Sequence, residues 1–224
     1  MYETKLAKCS FITRGVKVKE ETNYGIDYYE INMKDFDGNS LNMPTELKHN
    51  GSDDQIKLKR LEKGDIVIPV RGSSITNKIA IFELESEIPC IVNHQYWIIR
   101  PDKNVLNSYY LLFFLLNKDT KKLLNSDERN MSDTNMKSIS KEPLKDLIIE
   151  LPPLDIQDDA KKIFLQYQEL HKHINYCISL HQKLGDVIYS NDSNNLDSLL
   201  RRIEDAINDF NSVVSISVDS LLSE

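Results

Sequence analysis

Asp37 stands nine residues ahead of the triplet Glu46-Leu47-Lys48. Two carboxylates holding Mg²⁺ beside a lysine would suit phosphodiester cleavage, in the Asp…Glu-x-Lys arrangement of many endonucleases. The triplet is short and common, and it lies in a polar stretch that reads as a solvated loop. Other chemistries find less. The chain has no phosphate-cradling P-loop, no Gly-x-Ser-x-Gly elbow and no His-Glu-x-x-His pair. A methyltransferase would need a glycine-rich cofactor loop and an Asn-Pro-Pro-aromatic signature. Leu151-Pro152-Pro153-Leu154 has the prolines without the asparagine or the aromatic. Cys9, Cys90 and Cys177 are odd in number and far apart, without a Cys-x-x-Cys pair, so neither a disulfide framework nor a zinc site is expected. His171 and His173 fall on different faces of a helix, and His181 falls on an apolar seam. No metal site and no cofactor are expected in this chain.

Binding chemistry is better represented. Arg71, Ser73, Ser74, Asn77 and Lys78 crowd one turn between apolar runs. Arginine reaches guanine edges or phosphate, serine and asparagine contact phosphates or bases, and lysine adds charge. Arg14, Lys17, Lys19 and Tyr24 form a second such loop. Arg129, Asn130, Thr134, Asn135 and Lys137 form a third. Each alone reads as an ordinary polar loop; three on one sheet-built domain would make a DNA-reading surface. Asn93, His94 and Gln95 lie inside a strand-like run and read as structural hydrogen-bonding groups.

The elements that must carry these loops are legible in outline. Residues 25–33, 64–72, 78–85 and 89–101 are β-branched or alternating runs bounded by Gly, Pro and Asn, which predicts strands. Residues 107–125 predict a buried helix, apolar on all sides from Tyr109 to Leu116 and capped by Asn107 or Ser108. Residues 143–154 predict a short buried strand that Pro152 and Pro153 must end, because proline cannot donate to a ladder. Beyond that corner the period changes, with Asp155 placed to cap a long helix. Ile163, Tyr167, Leu170, Ile174, Cys177, His181, Leu184 and Ile188 recur in alternating steps of 4 and 3. This is a heptad seam about 38 Å long, with Gly185 and residues 190–195 as its expected end. A second stripe, from Leu196 to Phe210, predicts a shorter helix that folds back or meets a partner. The expected divisions are a strand-rich, loop-bearing domain at 1–154, a long helix at 155–190, and a linker with a short tail helix at 191–224. The fold class expected is α+β.

Among the 224 residues the net charge is −7, but it is unevenly placed. Residues 151–224 carry 12 acidic against 6 basic residues, while residues 1–150 are nearly balanced at 23 against 22. A DNA-binding face on the N-terminal part is therefore compatible with the charge. No apolar run approaches a membrane span, and the N-terminus lacks a signal-peptide core, so a cytoplasmic protein is expected.

The ordered set "LEKGDIVIPVRGSS", "CIVNHQYWIIRPD", "SYYLLFFLLN" and "LKDLIIELPPLDIQ", leading into a long helix, resembles the specificity subunit of type I restriction–modification systems. The resemblance covers about residues 2–190. It implies a mixed α/β target-recognition domain carrying a coiled-coil helix, and a chain that reads DNA without catalysing. A separate modification subunit with S-adenosylmethionine would methylate adenine, and a restriction subunit, where present, would cleave. With one recognition domain and one spacer helix, the chain is expected to resemble half of a full subunit. An unpaired seam then implies two copies pairing through Ile163, Tyr167, Leu170, Ile174, Cys177, His181, Leu184 and Ile188. The alternative is a seam satisfied by the chain's own tail helix. A stand-alone DNA-binding defence or regulatory protein is the second reading, and the Asp37–Glu46–Lys48 nuclease the third.

Overall fold

The structure, a computed structural model, describes residues 2–21, 25–72, 78–126, 137–190 and 193–222. In chain order the first elements are β1 (Tyr2–Lys5), α1 (Leu6–Cys9), β2 (Ser10–Arg14), β3 (Ile26–Ile31), β4 (Phe36–Asp37) and β5 (Ser40–Leu41). They lead to β6 (Leu47–Gly51), α2 (Asp53–Lys59), β7 (Ile66–Pro69), β8 (Arg71–Gly72), β9 (Ala80–Ile81), β10 (Cys90–Val92) and β11 (Tyr96–Pro101). Next come α3 (Ser108–Leu116), α4 (Lys118–Ser126), β12 (Lys137–Ser138), α5 (Lys141–Asp146) and β13 (Ile148–Leu151). The last two elements are long helices, α6 (Leu154–Ser190) and α7 (Ser193–Leu222). The chain divides into two compact units, residues 1–160 and 161–224.

The first unit is built on an antiparallel sheet in the order β2-β11-β7-β9. Strand β7 is buried at every position, as a continuous Ile-Val-Ile run demands. A second sheet, β10-β3-β6, mixes a parallel β10–β3 pair with an antiparallel β3–β6 pair. Ile31, Phe36, Leu41, Val67, Phe82, Val92, Tyr96 and Ile98 share one core cluster, so both sheets contribute to it. Each such side chain removed from water contributes roughly 1.5–3 kcal/mol. Tyr28, Ile56 and Ile91 form a smaller cluster that holds α2 on the second sheet.

Several sequence expectations need correction. Residues 107–125 are two helices. The backbone turns at Asn117, whose side chain accepts from the N–H of Asp119 (2.8 Å) and starts α4. Asn107 caps α3 as expected, accepting from the N–H groups of Tyr109 (2.8 Å) and Tyr110 (3.4 Å). Residues 143–146 belong to α5, so only Ile148–Leu151 remain of the strand expected at 143–154, paired antiparallel with β1. The polar stretch is a loop only as far as Glu46: Leu47 and Lys48 open β6 and pair with Tyr29 and Tyr28. The sheet edge offered by β3 outweighs the weak strand propensity of that sequence.

At the Pro152-Pro153 corner the helix begins at Leu154, so Asp155 lies inside its first turn, where its Oδ1 accepts from the next N–H, that of Ile156 (3.0 Å). The lock is Gln157, which is 1% exposed. Its Oε1 accepts from Asn107 N–H (2.8 Å), and its Nε2 donates to the carbonyls of Pro152 (2.8 Å) and Val105 (3.1 Å). Asn107 Nδ2 also donates to Asp158 Oδ1 (2.8 Å).

In the second unit α6 runs through Gly185 to Ser190, since one glycine costs a helix only about 1 kcal/mol. The stripe read at Leu196–Phe210 lies mostly in the N-terminal half of a 30-residue helix. Leu180, Leu199 and Ala206 are buried together, with Cys177, Leu184, Val187 and Ile203 packed against them.

Candidate nucleic-acid interface

Trp97 organises the face from which the expected binding loops leave. It sits on β11, 6% exposed, and its indole N–H donates to the carbonyl of Ile139 at 2.7 Å. Ile139 N–H in turn donates to Val70 O (2.8 Å), and Val70 N–H to Gln95 O (2.7 Å). Ile139 directly succeeds β12, and Val70 directly precedes β8. These two short strands pair Arg71 with Ser138 and Gly72 with Lys137. The loop of Arg71 and the loop of Lys137 are thus rooted in one ribbon beside Trp97. The loop of Arg14 reaches the same residue: its guanidinium lies over the Trp97 ring, 5.3 Å from the centroid. Arg14 and Trp97 are register partners across β2 and β11, which places them on the same face.

Arg14 is held on a second side. Its Nε donates to the carbonyl of His94 at 2.7 Å. The next residue is Gly15 because the backbones touch there. A Cβ at that position would stand 2.2 Å from Asn93 O and 2.3 Å from Val92 O. Gly15 N–H donates to Tyr96 O and Val16 N–H to Val92 O, stitching the loop to the turn before β11.

Beside this turn opens a cleft of about 840 Å³, which includes Lys17, Glu20, Glu30, Lys48, Asn93, His94 and Gln95 in its lining. Glu30 anchors it, accepting from Lys48 Nζ (3.0 Å) and Asn93 Nδ2 (3.1 Å). The Lys48 ammonium is held charged above its ordinary range, chiefly by that hydrogen bond. Burial pushes the Tyr28 phenol in the same cleft upward. Asn93 is structural as expected. Its Oδ1 also accepts from Gln95 N–H. His94 and Gln95 are different: they lie in a turn between β10 and β11, both exposed, and open into the cleft. No sequence signal marked them, because the cleft is assembled from segments far apart in the chain: the 17–21 loop, β3, β6 and the turn after β10.

Of the sequence-predicted residues, Arg14, Lys17, Lys19, Arg71 and Lys78 are exposed in the first unit. Lys19 carries its loop through the backbone, its N–H donating to Gln55 Oε1 (2.9 Å). Lys137 is placed by its backbone pairing alone. Tyr24, Ser73, Ser74, Asn77, Arg129, Asn130, Thr134 and Asn135 lie outside the described residues. Of the nuclease candidates, Glu46 and Lys48 line the cleft and Lys48 is committed to Glu30, while Asp37 is in the β4–β5 hairpin and does not line it.

On α6, Ile163, Tyr167 and Ile174 are 47%, 45% and 40% exposed, and Leu170 is half-buried. Further along, Cys177 and Leu184 pack toward α7, while His181 is exposed. The side chain of Ile188 lies outside the described residues. Among the described side chains, the stripe that meets α7 is therefore Cys177, Leu180, Leu184 and Val187, which shares Cys177 and Leu184 with the predicted seam.

Residues 9–188 match the family of the type I restriction modification DNA specificity domain. The chain belongs to that family. Over 167 residues this specificity domain is 29% identical to a protein of Methanocaldococcus jannaschii named as a type I restriction enzyme MjaX specificity subunit, covering 74% of this chain and 38% of that protein. It is similar in fold to the crystal structure of the HsdS subunit from Thermoanaerobacter tengcongensis, with a TM-score of 0.50 and 17% identity over 92% of this chain and 43% of that one. A type I system S subunit from M. genitalium matches with a TM-score of 0.49 at 14% identity, over 88% of this chain and 48% of that one. The chain spans less than half the length of each of these relatives.

Proposed function

We propose that this chain is the non-catalytic DNA-recognition element of a type I restriction–modification system, directing a separate adenine methyltransferase subunit to its site. The observation that carries this reading is the convergence on Trp97. Three separate loop roots, each bearing cations or amides suited to phosphates and base edges, are tied to one rigid side chain by hydrogen bonds and a cation–π contact. S-adenosylmethionine belongs to the modification subunit in this scheme, and a restriction subunit joins where the system has one. The setting is the cytoplasm. No helix among the described residues is long and apolar enough to cross a membrane.

Two copies pair through the N-terminal half of the α6 seam. Ile163, Tyr167 and Ile174 support this, being large apolar side chains left exposed in register. The C-terminal half of α6 is engaged by α7, so the two alternatives for the seam each take part of it. A twofold pair gives a palindromic, bipartite site with half-sites about one DNA turn, roughly 34 Å, apart.

Two measurements test the proposal. Duplex DNA binding by the chain, in the presence of Mg²⁺, is expected without cleavage and with affinity falling steeply as salt rises. Cleavage abolished by Glu46→Ala would overturn it in favour of a nuclease. Light scattering at micromolar concentration is expected to give a dimer that Ile163→Asp together with Ile174→Asp converts to monomer. A monomeric wild-type chain, with or without a modification subunit, refutes the pairing.

A further inference from the structure

Arg14 is more constrained than a phosphate contact needs to be. Its guanidinium is fixed on one face by Trp97 and on its Nε edge by the His94 carbonyl. Both supports are themselves pinned: Trp97 by Ile139 O, and the 93–95 turn by Val70 and by Asn93 Oδ1. The terminal nitrogens, Nη1 and Nη2, have no partner among the described residues. What remains is a planar pair of donors with its orientation set in advance. Such a pair matches the two parallel acceptors O6 and N7 of guanine in the major groove.

The electrostatics beside it favour a base over a phosphate. The cleft into which His94 and Gln95 open is lined by Glu20, Glu21, Glu30 and Glu46 against Lys17 and Lys48. A phosphate seated next to that lining meets net negative charge. A G·C pair presents neutral acceptors to the guanidinium and an amino donor, cytosine N4, toward acceptors.

We propose that Arg14 is a specificity-determining residue that reads one guanine of the half-site through O6 and N7. The proposal rests on the DNA-recognition reading above. The full chain, immobilised, selects from a duplex library with a randomised centre, and bound DNA is sequenced for wild type, Arg14→Lys, Arg14→Ala and Lys17→Ala. Arg14 is an exposed residue, and circular dichroism melts verify that each variant keeps its fold. The expected result is a wild-type motif with one guanine whose preference falls on the order of 10- to 100-fold in Arg14→Lys, with the other positions retained. Lys17→Ala is expected to weaken all sequences alike. If Arg14→Lys keeps the full motif, or Arg14→Ala weakens every sequence equally, Arg14 is a phosphate contact and the inference fails while the recognition reading stands. If wild type enriches no motif, the recognition reading itself falls, and this inference with it.

Discussion

Replacing Gln157 by alanine removes the three hydrogen bonds that its buried side chain makes at the corner. The partners left behind are backbone groups: the N–H of Asn107 and the carbonyls of Val105 and Pro152. A hydrogen bond contributes about 0.5–1.5 kcal/mol net, and a buried group left without one costs about 1–3 kcal/mol. Water entering the vacated space recovers part of this, so the expected loss is about 3 kcal/mol. For a unit of this size, about 2–4 °C per kcal/mol converts to a fall in Tm of roughly 6–12 °C. Gln157→Met keeps the volume without the polar atoms and is expected to fare no better than alanine. Melting by circular dichroism, with amide exchange at Asn107, reads both effects. If both variants melt within about 1 °C of wild type and Asn107 stays protected, the lock is not Gln157 and the physical account of the corner is wrong.

Arg100 reaches Asp65 with two nitrogens at 2.8 and 2.7 Å and Glu62 with a third at 2.7 Å, while the Asp65 side chain is 1% exposed. Arg100→Met therefore strands a buried carboxylate and is expected to cost about 2–4 kcal/mol, measured by guanidinium denaturation. Gly15→Ala forces a methyl group into two backbone carbonyls. A cost of about 1–3 kcal/mol is expected, with weakened DNA binding as Arg14 loses its register; unchanged melting and binding would contradict the close approach. Burial pushes the Cys90 thiol up to about 11 and also raises that of Cys9. A raised thiol pKa means less thiolate: at pH 8 a value near 11 leaves ~0.1% ionised against ~10% at 9. Iodoacetamide at pH 8 should therefore alkylate the half-buried Cys177 first, as read by peptide mass spectrometry, and early labelling of Cys90 would refute its burial.

Patterns that depend on nearest neighbours were legible in the amino-acid sequence. The all-apolar run from Tyr109 to Leu116 had to be a buried helix, and Asn107 its cap. The Ile-Val-Ile run of β7 had to lie inside a sheet. Pro152 and Pro153 had to end a strand, and the change to a spacing of 4 and 3 had to begin a long helix. Those signals are local because hydrophobic period, capping and missing N–H groups act over a few residues.

What only the tertiary structure decided are meetings between residues distant along the chain. Leu47 and Lys48 read as part of a polar loop until β3 supplies an edge to pair with. Arg14 reads as one loop cation among many until Trp97 and the His94 carbonyl, 83 and 80 residues away in sequence, fix its plane. His94 and Gln95 face an open cleft because β10 and β6 flank β3 and the 17–21 loop lies beside them. Asp155 had the right type for a cap, yet Gln157 holds the corner, because its amide can satisfy one donor and two acceptors that converge from elsewhere. On α6 the repeating period fixed that there is an apolar stripe. It did not fix which stripe meets α7, since Leu180 and His181 are one residue and about 100° apart, and burial chose the leucine. Period and propensity specify elements, whereas long-range pairing and burial specify which of their side chains can act.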